Sequence, residues 1–246
     1  MKTIVQKAIG LIAIACLVLN AQAQKDCKAQ LKGIYQHIEQ RMEQLDKGAF
    51  FMHVTQTNTL AKDFGGDTYS TEMRLAYNGK VSHIQSDDIE VYQDAQHAIS
   101  ILHQERTIMV NRSTQEEFRQ LILSQSSALF AEVLGDANVA NCKTFKSKGQ
   151  QCQKIALELS PQKQAEMKTR ELIYTINLDT KELVKVEANY MPGMSQLASM
   201  SVEFHEISYA KTNIALAGEA NAQVFARSGN VVPAYEGYKI IDNTKH

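Results

Sequence analysis

Four histidines, His83, His97, His103 and His205, fall in segments with strand-like alternation. Histidine is the side chain that titrates nearest neutrality and a common metal ligand. His97 and His103 lie six residues apart, so they share a face if one strand runs unbroken, and His83 would then complete a set of three ligands. No H-x-E, H-E-x-x-H or clustered His/Asp pattern accompanies them, so they read as surface or edge histidines and no metal site is assigned. Glu203 and His205 share a strand face. Without a positioned nucleophile the pair reads as a cross-strand polar patch. Ser195 follows Pro192-Gly193-Met194, but no glycine stands two residues later, as a nucleophile elbow requires. Asp87-Asp88 reads as a hairpin turn with exposed carboxylates. No phosphate loop or dinucleotide fingerprint is present. The expectation is a protein without catalytic residues and without a cofactor.

Cysteine chemistry depends on the compartment. The chain opens Met1-Lys2, carries Lys7, runs apolar from Ala8 to Leu19 and reaches Ala21-Gln22-Ala23. This is the order of a cleaved signal peptide, so residues 1–23 are set apart from the fold. The apolar run is shorter than the ~20 residues a membrane span needs. A lipobox around Cys16 is the rival reading, with Ala13 where leucine is usual. The exported remainder, residues 24–246, is expected to form one domain in the periplasm or outside the cell, where cysteines pair. Of Cys27, Cys142 and Cys152, the last two flank a short polar segment with Lys146, Lys148 and Gly149. A Cys142–Cys152 bridge is expected, with Cys27 left over.

The whole chain has 26 basic and 27 acidic residues. Loss of Lys2 and Lys7 leaves 24 basic residues and a net charge of −3. That balance disfavours nucleic acid as a partner.

The elements that must position these residues follow from periodicity. Residues 26–46 place Leu31, Ile34, Tyr35, Ile38, Met42 and Leu45 on one helical stripe. Phe50–Thr57 has strand content. From Thr68 to Arg112 the chain reads as a meander: Glu72–Asn78, Val81–Gln85, Ile89–Gln93, Ala98–His103 and Thr107–Asn111. Asn78-Gly79 signals a type I′ hairpin. Thr114 and Glu117 resemble a capping box for a helix to about Leu134, whose stripe is Phe118, Leu121, Ile122, Leu129, Phe130, Val133 and Leu134. Alternation returns around Ile155–Leu159, Leu172–Leu178, Val184–Tyr190 and Met200–Tyr209. A short helix at Glu219–Phe225 and a terminal strand at Tyr238–Ile241 follow. The expected fold is α+β: a single curved antiparallel sheet, or half-barrel, with the N-terminal helix and the central helix on its concave face.

Three stretches, residues 83–111, 155–190 and 233–243, carry a resemblance. The element order and the Ile-Asn-Leu-Asp-Thr turn after Ile176 are similar to the lipoprotein-carrier, LolA-like superfamily. The closing run Pro233–Asn243 and the Ala-Gln-Ala-Gln leader end look like a group of exported Bacteroidota proteins. The resemblance implies an acyl chain held between a curved sheet and helices, then handed to an outer-membrane or other envelope acceptor. The superfamily's arginine near the start of the sheet best matches Arg74, without its flanking proline.

The residues themselves point to an apolar sheet face. Met73, Leu75, Tyr77, Ile99, Ile101 and Met109, with Phe118, Leu121, Ile122 and Phe130 from the central helix, are the expected lining of a cavity for a lipid or an acylated protein. Methionine adapts to irregular apolar surfaces. Two other readings stand beside it: an envelope interaction module with a filled core, and a hydrolase whose constellation is scattered in sequence.

Overall fold

A computed structural model of the chain describes residues 26–41, 49–114, 133–209, 216 and 218–245. Its centre is one twelve-stranded sheet: β1 (Phe50–Leu60), β2 (Thr68–Tyr77), β3 (Ser82–Gln85), β4 (Ile89–Gln93), β5 (His97–Leu102), β6 (Thr107–Arg112), β7 (Asn138–Ser147), β8 (Gln150–Glu158), β9 (Thr169–Asn177), β10 (Glu182–Tyr190), β11 (Leu197–Ser208) and β12 (Lys239–Asp242). The order across the sheet is β12-β6-β5-β4-β3-β2-β1-β11-β10-β9-β8-β7. The sheet is open and curved, as expected for the fold class, and does not close into a barrel. Every pairing is antiparallel except β12 with β6, which is parallel. The antiparallel sheet expected from the sequence is thus present with one parallel pairing added at its edge, where the tail crosses a face before its last strand pairs. Helix α1 covers residues 26–41, α2 is Pro161–Met167 and α3 is Ala220–Val224. Among the described residues no helix is long and apolar enough to cross a membrane. Residues 1–23 and most of the expected central helix lie outside the described residues.

Two segments depart from their sequence reading. The polar stretch around Lys146 is no loop but a hairpin, with β7 against β8. Lys148 and Gly149 both take positive φ, 50° and 82°, the conformation of a two-residue turn that matches strand twist. Strand β7 lacks apolar alternation because it is an edge strand. Its exposed Lys143 and Lys146 are the charges that keep such an edge from pairing onward. The Asn78-Gly79 turn forms, but only Gly79 has positive φ. It is closed by the Asn78 side chain, whose Oδ1 accepts from Lys80 N (3.0 Å) and Val81 N (2.9 Å), an Asx turn rather than type I′.

The hairpin register overturns the expected Cys142–Cys152 bridge. Cys142 lies opposite Ile155, while Cys152 lies opposite Phe145. Three residues separate the two positions along the ladder, roughly 10 Å, and an odd offset puts their side chains on opposite faces. A disulfide cannot span that. Cys142 instead bonds Cys27 of α1, 115 residues away in sequence, and among the described residues the buried Cys152 is the free thiol. Cys152 therefore stays unlabelled when native protein is treated with a maleimide and reacts after denaturation. Intact-mass measurement of fast labelling in native protein would contradict this placement.

Two cores form on opposite faces. On the first, α1 presses Leu31 and Ile34 onto Ile155, Leu157, Leu172, Tyr174 and Ile176, and Val133 and Leu134 from a helical turn at 133–136 join them. Tyr35 meets Tyr174 edge to face, with centroids 6.1 Å apart. On the other face, the C-terminal segment packs Ala220, Val224 and Tyr235 onto Val81, Tyr92, Ile99, Ile101, Ile108 and Val110. The first is the helix face of the sheet and the second its tail face.

Candidate functional site

Directly opposed residues in a ladder share a face, so the register traces each face across the sheet. One helix-face row runs Met109, Ser100, Val91, Ile84, Leu75, Met52, Ile207 through seven strands from β6 to β11. All seven side chains are half-buried. Met73 lies beside this row, opposite Val54, and Tyr77 lies opposite Phe50. Tyr77, Phe50, Met52, Leu75, Ile207 and Tyr209 form a small cluster, with the Arg41 guanidinium 5.0 Å above the Tyr209 ring centre. The same face continues through Val202, Val186, Tyr174, Ile155 and Cys142, the row that α1 covers.

The expected lining therefore divides. Met73, Leu75, Tyr77 and Met109 lie on the helix face. Ile99 and Ile101 do not: Ile101 pairs with Ile108 and Glu90, and Ile99 with Val110 and Tyr92, all on the tail face beneath the C-terminal segment. Grouping Ile99 and Ile101 with Met109 is corrected by one residue of register, because Met109 pairs with Ser100 and period-2 alternation puts its neighbours on the other side. Phe118, Leu121, Ile122 and Phe130 lie outside the described residues. Arg74 is exposed on the tail face, opposite His53 and Gln85.

The tail face also holds a polar centre that sequence reasoning missed. Glu90 is buried there with three donors. His83 Nε2 and the Tyr92 hydroxyl donate to its Oε1 at 2.7 and 2.8 Å, and the Tyr235 hydroxyl donates to its Oε2 at 2.7 Å. The His83 and Tyr92 rings stack, 4.2 Å apart and 8° from parallel. At the rim, His103 Nε2 stands 3.6 Å from Glu90 Oε2, and its Nδ1 is 3.2 Å from the Tyr238 hydroxyl. Burial pushes the Glu90 carboxyl up, but the hydrogen bonds from His83, Tyr235 and Tyr92 outweigh it and hold its pKa down to about 2. Burial, then the contact with that carboxylate, pushes both phenols far above their ordinary value. Such a group accepts hydrogen bonds and moves no proton near neutrality. It ties the tail to β3 and β4. Asp94 adds a second tie, since its Oδ2 accepts from Ala220 N at the start of α3 (2.7 Å). The only sequence signal was the alternation of His83, Glu90 and Tyr92 on one strand pair; Tyr235 is 145 residues from Glu90.

The other histidines scatter. His97 Nδ1 is 4.0 Å from Asp94, and His205 Nε2 is 2.7 Å from Thr55 Oγ1. Strand β5 ends at Leu102, so His97 and His103 do not share one strand. Among the described residues, no group of three or more His, Cys, Asp or Glu side chains is arranged to hold a metal ion.

No family model matches the sequence, and no curated protein matches it. Solved structures with a similar chain path include an uncharacterized conserved protein from Thermus thermophilus, with TM-score 0.42 and 7% identity over 84% of this chain and 98% of that one. A LolA superfamily protein from Nitrosomonas europaea matches with TM-score 0.31 and 7% identity over 72% and 94%. The lipoprotein LppX from Mycobacterium tuberculosis matches with TM-score 0.38 and 12% identity over 74% and 98%.

Proposed function

We propose that this chain is an exported cell-envelope protein that holds a lipid, or the acyl chain of an acylated protein, on the helix face of its sheet without catalysing a reaction. What supports this is the half-buried row from Met109 to Ile207. Seven strands at a spacing of ~4.8 Å give that row a length of roughly 29 Å, enough for an extended acyl chain to lie along it. Met52, Met73 and Met109 supply side chains that conform to a flexible apolar guest. Binding is by burial, at ~25 cal/mol per Å² of apolar surface removed from water.

Protein purified in its exported form carries lipid detectable by mass spectrometry of an organic extract, and it binds a fluorescent fatty acid. Leu75→Glu and Val91→Glu, each placing a charge in the row, weaken that probe by roughly tenfold or more. Ser70→Glu, exposed on the tail face, leaves it unchanged. Absence of both lipid and probe binding would sink the reading. The second reading is an envelope interaction module with a packed core. It draws on the tail face, where the chain's own C-terminal segment fills the core. A stoichiometric envelope protein recovered by pull-down without lipid favours it.

A further inference from the structure

The register places β1 ending where β11 begins, with Leu60 opposite Leu197. The connections 61–67 and 191–196 therefore leave the same end of the sheet, and Ala61 N donates to Gln196 O at 2.8 Å to tie them together. Each carries a large apolar side chain in solvent at its tip: Phe64 is 51% exposed and Met194 49%. Tyr69, 49% exposed, stands just below on β2.

The exposure of Phe64 is built into the turn. Lys62–Phe64 is a single 3-10 turn capped by Gly65 at φ 105°, a conformation that glycine takes without cost. Phe64 N, Gly65 N and Gly66 N donate to Ala61 O, Lys62 O and Ala61 O, and Leu60 N donates to Asp67 O. With its backbone satisfied, the turn holds the phenyl ring outward. Met194 is held likewise, its N–H bonded to Met191 O at 3.2 Å. Lys62 flanks the first tip, and Lys168, whose carbonyl accepts from Met191 N, flanks the second. Asp63 and Asp67 balance them.

We propose that this end of the sheet docks on a phospholipid bilayer, with Phe64 and Met194 entering the interface. Two separate tips carrying single apolar side chains suit a fluid surface that closes around each. A protein partner would need a continuous patch of roughly 800 Å². A tyrosine and two lysines in the segments next to the tips match the headgroup layer, where aromatic rings and ammonium groups settle. With lysines and aspartates balanced, apolar insertion supplies the attraction. This docking does not depend on a lipid being carried.

The test is flotation of the exported protein with vesicles of phosphatidylethanolamine and phosphatidylglycerol. The wild type floats, and binding persists at about 0.5 M salt, where charge attraction is screened within several ångströms. Phe64→Ser/Met194→Ser lowers the bound fraction by roughly tenfold or more while keeping wild-type melting and fatty-acid probe affinity. Phe145→Ser, which removes an exposed ring (40%) from the opposite end of the sheet, leaves flotation unchanged. A wild type that does not float, a double variant that floats equally well, or an equal loss with Phe145→Ser would overturn the proposal. So would a dimer in solution that only the double variant breaks, since the tips would then meet a second copy.

Discussion

Glu90→Ala lowers the unfolding free energy by about 3–5 kcal/mol, the cost of stranding the buried partners of a removed charge. For a chain of this size that is roughly 2–4 °C of Tm per kcal/mol. The reason is local: His83, Tyr92 and Tyr235 all point donors at one buried carboxylate. The loss includes loosening of the tail, because Tyr235 is one of the ties from the C-terminal segment to β4. Limited proteolysis of the variant therefore cuts first within residues 218–238. The same carboxylate sets an acid limit. Its pKa is about 2 in the fold against an ordinary 4.5, so the folded state keeps the proton off where the unfolded state binds it. The stabilisation is complete above about pH 4.5 and is lost as pH falls towards 2. From a difference of that size it is on the order of 3 kcal/mol. Denaturant titrations of the wild type slope through that window, and Glu90→Gln flattens the slope. Equal slopes in both would show that Glu90 is not the group responsible.

Removing the Cys27–Cys142 bond is the second large effect. The bond closes a loop of 115 residues, and its loss costs roughly 2–5 kcal/mol by restoring freedom to the unfolded chain. It also frees α1 from the edge strand β7. The apolar contacts of Leu31 and Ile34 then hold the helix together with polar contacts such as Lys28 Nζ donating to Ala137 O (2.9 Å). Cys27→Ser/Cys142→Ser melts lower than wild type. A reductant lowers the wild-type Tm to that of the variant and leaves the variant unmoved, while Cys152→Ser keeps the reductant response. A non-reducing digest yields a peptide joining Cys27 to Cys142; recovery of a Cys142–Cys152 peptide instead would refute the pairing.

Much of the scaffold is legible in the chain itself. Local strand patterns locate eleven of the twelve strands, from Phe50–Leu60 to Lys239–Asp242, and the 3.6-residue stripe Leu31, Ile34, Tyr35, Ile38 locates α1. These signals are local, because a strand or helix buries one side and its sequence records which residues lie there. Strand β7 escaped because an edge strand in solvent has no side to bury. Helix α2 escaped because none of its residues is buried; Ser160 caps it, with its Oγ accepting from Lys163 N at 3.3 Å.

What alternation cannot state is which set of residues on one strand shares a side with which set on the next. That parity is set by register, and register depends on turns and on what lies against each face. It placed Ile99 and Ile101 under the tail while Met109 and Leu75 stayed on the helix face, and it put Cys142 within reach of Cys27 rather than Cys152. The His83, Glu90, Tyr92 and Tyr235 centre needed the same decision, plus a tail that returns across the sheet to bring Tyr235 back to Glu90. The sequence alone therefore determined a sheet-rich chain with a helix ahead of the first strand and an abundance of apolar side chains. Only the tertiary structure decided which face each side chain joins, because contacts between distant segments leave no mark in local periodicity.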